Sequence, residues 1–198
     1  MKMNLPNRLT MLRVLMIPFF AAFMLLSLGG ADISVLRTEQ PDSFRIYRYL
    51  AFAVFCLASL TDFLDGQIAR RCNLITDFGK FMDPLADKLL VCTALILLTA
   101  EESLSAVTVI VIIAREFIIS GFRLIAADNG IVIAASWWGK FKTTSQMLLC
   151  IALILPKLPL ILGDTVITLL TAVVLLLTVI SLIDYMRKNI RVITDGGM

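Results

Sequence analysis

Four aspartates in "SLTDFLDGQIARRCNLITDFGKFMDPLADKLL" (residues 59–90) have the types and the spacing to do chemistry. Asp62 and Asp65 are three residues apart, so on a helix they occupy neighbouring positions of one face. Gly79, Asp83 and Asp87 follow at intervals of four and line one face of a second helix. Pro84 either opens that helix, with Asp83 as its N-cap, or kinks a longer one. Carboxylates facing one another repel and take up protons unless cations neutralise them. Two divalent ions, about 3.5–4 Å apart, solve that problem and commonly clamp a phosphate group undergoing in-line displacement. A single aspartate at a helix end is ordinarily a cap or a solvated residue. Two paired sets with Gly66, Ala69 and Arg70 between them form a constellation instead. The small residues Gly66 and Ala69 serve either close helix packing or a flat ligand group beside the backbone. Arg71 reads as a membrane-boundary anchor.

The rest of the composition narrows the ligand chemistry. The chain has no histidine, which removes imidazole as base, nucleophile or metal ligand. The four cysteines, Cys56, Cys72, Cys92 and Cys150, form no CxxC pair and read as small apolar residues. A metal held mainly by oxygens is a hard cation, Mg²⁺ or Mn²⁺.

The elements that must position these acids are membrane helices. Hydrophobic residues make up 59% of the 198, against about 45–50% in a soluble domain, and the mean hydropathy is +0.92. A bilayer span needs roughly 20 mostly apolar residues. Six segments qualify or nearly so: Leu9–Leu28, Arg48–Ala69, Leu85–Ala100, Leu104–Ala127, Lys142–Leu155 and the last, Leu160–Ile183. The expected fold is therefore all-α, a polytopic integral membrane protein forming one domain over 1–198. With the N- and C-termini cytoplasmic, 13 Lys and Arg face the cytoplasm and 4 face outward, a positive-inside bias. The net charge of +3 then reflects topology and attraction to anionic lipid, not nucleic-acid binding. The first segment also has signal-peptide features. Arg13 interrupts its apolar run and five spans follow, so an uncleaved first helix is expected. The outer connections are Gly29–Tyr47, the tight turn "AEES" (100–103) and Pro156–Asp164. The cytoplasmic ones are Arg70–Met82 and Asp128–Phe141.

Asp62-x2-Asp65-Gly66-x2-Ala69-Arg70-x8-Gly79-x3-Asp83-x3-Asp87 resembles, at every position, the signature of the CDP-alcohol phosphatidyltransferase family. The resemblance implies a six-helix membrane enzyme, usually homodimeric. Its reaction moves a phosphatidyl or similar group from a CDP-linked lipid to an alcohol and releases CMP. It implies metal binding by Asp62, Asp65 and Asp83, with Asp87 as a further ligand or as the catalytic base. It implies that Gly66 and Ala69 admit the cytidine, that Gly79 lines the CDP-lipid site and that Arg70 contacts the diphosphate. Thr76 falls where members offer a hydroxyl to the nucleotide. The segment Asn7–Thr10 resembles the one that approaches the same nucleotide through Asn7 and Thr10; as bare sequence it is equally a helix start.

The signature specifies a donor and leaves the acceptor open. Arg115 lies about 16 Å along its helix from Leu104, and an intramembrane Arg marks a functional site by default. Arg123 is eight residues further on the same broad face, and Lys140 opens the fifth span. Together the three make a pocket for an acceptor phosphate, which guanidinium grips bidentately. The structural alternative is that Arg115 pairs with an acid such as Glu116 and fixes helix packing. "NLPNRLTMLRVLMIP", "DFGKFMDPLADKLL" and "AREFIISGFR" most resemble bacterial family members that join CDP-diacylglycerol to sn-glycerol 3-phosphate. The likeness implies the bacterial cell membrane, and the positive-inside topology puts the acids at its cytoplasmic side. Inositol phosphate or serine as acceptor, a cation transporter and a non-catalytic lipid-binding scaffold are the rival readings. Transport sites sit near the midplane, whereas these acids gather towards one boundary.

Overall fold

The computed structural model describes residues 5–28, 42–72, 77–128, 133, 136–155 and 158–194. Among them are six α-helices and no strand: α1 Leu5–Ser27, α2 Asp42–Cys72, α3 Asp77–Ala100, α4 Ala106–Asp128, α5 Trp137–Ile154 and α6 Leu158–Thr194. Hydropathy finds the apolar part of a helix and misses its polar ends, and the differences from expectation follow that rule. α3 starts eight residues before Leu85, so Pro84 lies inside it and Asp83 is not an N-cap. α2 starts at Asp42, so the end of the connection Gly29–Tyr47, expected as a short loop or surface helix, is helical and continuous with the second span. α5 starts five residues before Lys142. The expected connection Pro156–Asp164 is mostly helical, since α6 begins at Leu158 and departs from helical geometry at Gly163 (φ 77°, ψ 158°). Only glycine adopts that φ without steric cost, and it kinks the helix there.

The described chain forms two compact units, Met1–Ser103 with Leu153–Leu158, and Leu104–Ala152 with Pro159–Met198. In the first unit α1 packs against α2 and α3. Its buried face runs Asn7, Thr10, Arg13, Phe20, Met24 and Ser27, the three-to-four spacing of one helix stripe. Phe20 meets Phe55 of α2 with ring centroids 5.6 Å apart. Arg48, near the start of α2, pairs with Glu101 just past the end of α3. It also donates from Nε to the Ile154 carbonyl (3.0 Å) and from Nη2 to the Leu153 carbonyl (2.7 Å). Those carbonyls belong to the last residues of α5, which have no partner within the helix.

The "AEES" turn is a helix stop as expected. Ser103 N donates to Leu98 O (3.0 Å) and Glu102 N to Thr99 O (3.0 Å), the paired bonds of a Schellman motif. Glu102 takes the left-handed position (φ 59°) that glycine normally fills.

In the second unit α4 meets α6 where Phe122 stands edge-on to Tyr185 (6.2 Å, 88°). Ile119 joins them in a buried cluster, with Ile133, Leu182 and Met186 packed around it. Much of the outer surface is apolar, with Leu124 70% and Ile161 76% exposed. Such a surface suits lipid and not water. Hydroxyls turn back on their own helices, as Thr99 does to Leu95 O, Thr171 to Ile167 O and Thr178 to Val174 O, which satisfies them without water. By length and composition Asn7–Ser27 and Ile161–Asn189 are apolar enough to cross a membrane, and Ile46–Thr61 is a shorter apolar stretch.

Candidate active site

The carboxylates are carried by helical backbone. α2 runs on to Cys72 and α3 begins at Asp77, so the expected connection Arg70–Met82 reduces to residues 73–76. The pairing of Arg48 with Glu101 shows that α2 and α3 run in opposite directions. Asp62 and Asp65 stand ten and seven residues before the end of α2; Asp83 and Asp87 stand six and ten residues into α3. At 1.5 Å per residue all four backbone positions are about 9–15 Å from the helix ends that residues 73–76 join. Matched depth is what two facing pairs of acids need.

The side chains of Asp62, Asp65, Ala69, Arg70 and Asp83, the surroundings of Gly66 and Gly79, and Thr76 as a whole lie outside the described residues. Asp87 is described and half-buried. Among the described residues no three His, Cys, Asp or Glu gather as a metal site, since three of the four aspartates are not among them. The donor chemistry still fits a hard cation: four carboxylates at one depth on adjacent helices and no imidazole in the chain.

Asn7 and Thr10 are buried on the α1 face that packs against α2 and α3, the helices bearing the acids. Arg13 continues that stripe and is 0% exposed. Sequence reasoning treated Arg13 only as a break in an apolar run. The i, i+3, i+6 spacing of Asn7, Thr10 and Arg13 was the signal that it turns inward with them.

α4 and α5 carry a second charged group. Arg115, buried in α4, donates from Nη1 to Glu116 Oε1 (3.0 Å) and from Nε to Ser181 Oγ of α6 (3.1 Å). Lys142 of α5, 1% exposed, pairs with the same Glu116 oxygen. Gly139 lies beside the pair: a Cβ there would be 3.5 Å from Arg115 Nη2. Arg123 places its guanidinium carbon 5.9 Å from the Tyr185 ring centroid. Lys140 is exposed, with its Nζ 4.8 Å from the Trp137 ring centroid. Of the two lysines in "GKFK", the inward one is therefore Lys142. The stripe Lys142, Gln146, Leu149, Cys150 and Leu153, all buried, marks that face in the sequence. Arg115 does pair with an acid, Glu116, and Lys142 pairs with the same carboxylate.

Comparison with known proteins gives the family of the chain. The family model described as CDP-alcohol phosphatidyltransferase matches residues 3–183. A protein of Bacillus subtilis (strain 168), named CDP-diacylglycerol–glycerol-3-phosphate 3-phosphatidyltransferase, is 44% identical over 188 residues, covering 94% of this chain and 95% of the relative. Proteins of the same name from Haemophilus influenzae (39% identical; 75% of this chain, 74% of the relative) and Escherichia coli K12 (41% identical; 74% of each) are also similar. With one family model spanning nearly the whole chain and every signature position filled, the chain belongs to the CDP-alcohol phosphatidyltransferase family.

Proposed function

We propose that this protein transfers a phosphatidyl group from CDP-diacylglycerol to sn-glycerol 3-phosphate, giving phosphatidylglycerophosphate and CMP in phospholipid biosynthesis. The observation that carries the reading is the buried Arg115–Glu116–Lys142 cluster. The signature shared across the family accounts for the donor, and a phosphorylated acceptor matches a site built around buried cations. The names of the relatives support the same pair of substrates.

Asp62, Asp65, Asp83 and Asp87 would hold Mg²⁺ or Mn²⁺, two ions in all. When bound, such ions supply positive charge to the diphosphate and to the departing CMP. Gly66, Ala69 and Gly79 leave room for the cytidine, Arg70 contacts the diphosphate, and Asn7, Thr10 and Thr76 offer polar groups to the nucleotide. Arg115, Arg123 and Lys140 hold the acceptor phosphate, while Lys142, on the other side of α5, holds Glu116. Asp87 accepts the proton from the acceptor hydroxyl. The oxygen so freed forms a bond to the phosphorus bearing diacylglycerol, the bond from that phosphorus to the CMP oxygen breaks, and CMP leaves. The lipid tails stay in the bilayer, which is why apolar helices house a reaction between charged groups. All six helices cross the cell membrane, the termini and the reacting groups are cytoplasmic, and the enzyme is a homodimer.

The test is an acceptor panel with purified protein and CDP-diacylglycerol, reading the lipid product by mass. Phosphatidylglycerophosphate formed from sn-glycerol 3-phosphate is the expected product. Preference for glycerol, serine or inositol phosphate at equal concentration would overturn the acceptor assignment.

A further inference from the structure

Tyr185 of α6 is 2% exposed, and its hydroxyl has no hydrogen-bond partner among the described residues. A hydroxyl buried without a partner costs stability. For packing alone phenylalanine would be the better residue here, since the ring already has its contacts: the edge-on Phe122 and the Arg123 guanidinium over its face. The oxygen therefore needs a reason of its own. Tyr185 is one helical turn beyond Ser181, whose hydroxyl accepts from Arg115 Nε at 3.1 Å, so the two share a face of α6. An unsatisfied hydroxyl is thus kept on a ring that the Arg123 guanidinium covers, one helical turn from the serine that Arg115 donates to.

We infer that Tyr185 is a specificity-determining residue for the acceptor, its hydroxyl donating a hydrogen bond to the phosphate of bound sn-glycerol 3-phosphate. The inference rests on the proposed function and extends it to α6. A bound phosphate oxygen gives the phenol the acceptor it lacks. The empty protein carries the cost of the unsatisfied group, and the bound anion relieves it. A neutral alcohol offers a weaker acceptor, because hydrogen bonds to ionised groups are roughly twice as strong. Tyr185 thereby adds discrimination that the arginines, drawn to any anion, do not provide.

The test is Tyr185→Phe in the full-length protein, which removes one oxygen and keeps the ring between Phe122 and Arg123. At saturating CDP-diacylglycerol the apparent KM for sn-glycerol 3-phosphate is expected to rise about tenfold to a hundredfold, the loss of one hydrogen bond to a charged group. The KM for CDP-diacylglycerol should not change. Without substrate the melting midpoint in detergent should hold or rise, and its shift on adding sn-glycerol 3-phosphate should shrink. An acceptor KM equal to the parent's overturns the inference, and so does a lowered substrate-free midpoint, which would make the hydroxyl structural. Arg115→Lys, run alongside, separates the two levels of argument. If it weakens acceptor use and Tyr185→Phe does not, the inference alone fails. If the parent does not use sn-glycerol 3-phosphate, the proposed function fails and this inference with it.

Discussion

At the scale of single residues, the two candidate charge clusters ask for different mutational signatures. Asp87, assigned the proton, should show its effect in turnover. Asp87→Asn is expected to lower kcat by at least about a hundredfold, the low end of general-base contributions, while CDP-diacylglycerol binding persists; unchanged kcat would reassign the base. Glu116 is instead the shared partner of Arg115 and Lys142. Glu116→Gln leaves two buried cations without their carboxylate and should destabilise the protein by about 3 kcal/mol, read as a lower melting midpoint in detergent. An unchanged midpoint would mean that other groups neutralise the cluster. The sequence exposed part of this. Period-four spacing made the aspartates stand out, and Arg115 was conspicuous as a charge inside an apolar run. Which lysine turned inward needed the face of α5, because Lys140 and Lys142 are two residues apart and so point to different sides of a helix. Tyr185 and Ser181 carried no signal, since their partners lie on α4, more than sixty positions away in the chain.

At the scale of elements, ends matter more than spans. Arg48 was counted only as an outer-side charge, yet it closes the end of α5 and holds Glu101. Arg48→Ala should cost about 3 kcal/mol, as expected for breaking a largely buried pair, and Arg48→Lys should recover only part of it because an ammonium lacks the fork. Equal melting midpoints for Arg48→Ala and the parent would refute this role. The turn after α3 offers the opposite case. Glu102 sits at a left-handed φ of 59°, which costs a residue with a Cβ about 1 kcal/mol, so Glu102→Gly should raise the midpoint; a fall would show that the Glu102 side chain contributes more than the strain. Hydropathy placed the apolar centres of all six helices. It missed the first two turns of α3, "DFGKFMDP", because a helix continues through polar residues as long as its backbone bonds persist. The consequence reaches the site: Asp83 is a helix-interior residue, and its spacing from Asp87 is a helical spacing.

At the scale of the whole molecule, the family explains why so many charges are carried by so apolar a chain. The helices α1, α2 and α3 carry Asn7, Thr10 and the four aspartates, and α4, α5 and α6 carry Arg115, Arg123, Lys142 and Tyr185. The donor chemistry was readable because it is compressed into 26 consecutive residues; the acceptor chemistry is spread over three helices and was readable only in outline. The central claim is that the aspartates, with bound metal, activate a CDP-lipid towards a phosphorylated alcohol. The most direct measurement is CMP release from CDP-diacylglycerol by the purified protein, followed with and without sn-glycerol 3-phosphate, before and after exhaustive chelation. CMP release that requires both the acceptor and Mg²⁺ or Mn²⁺, and that Asp83→Asn abolishes, is the predicted result. Full CMP release after chelation, or release at the same rate without the acceptor, would contradict it.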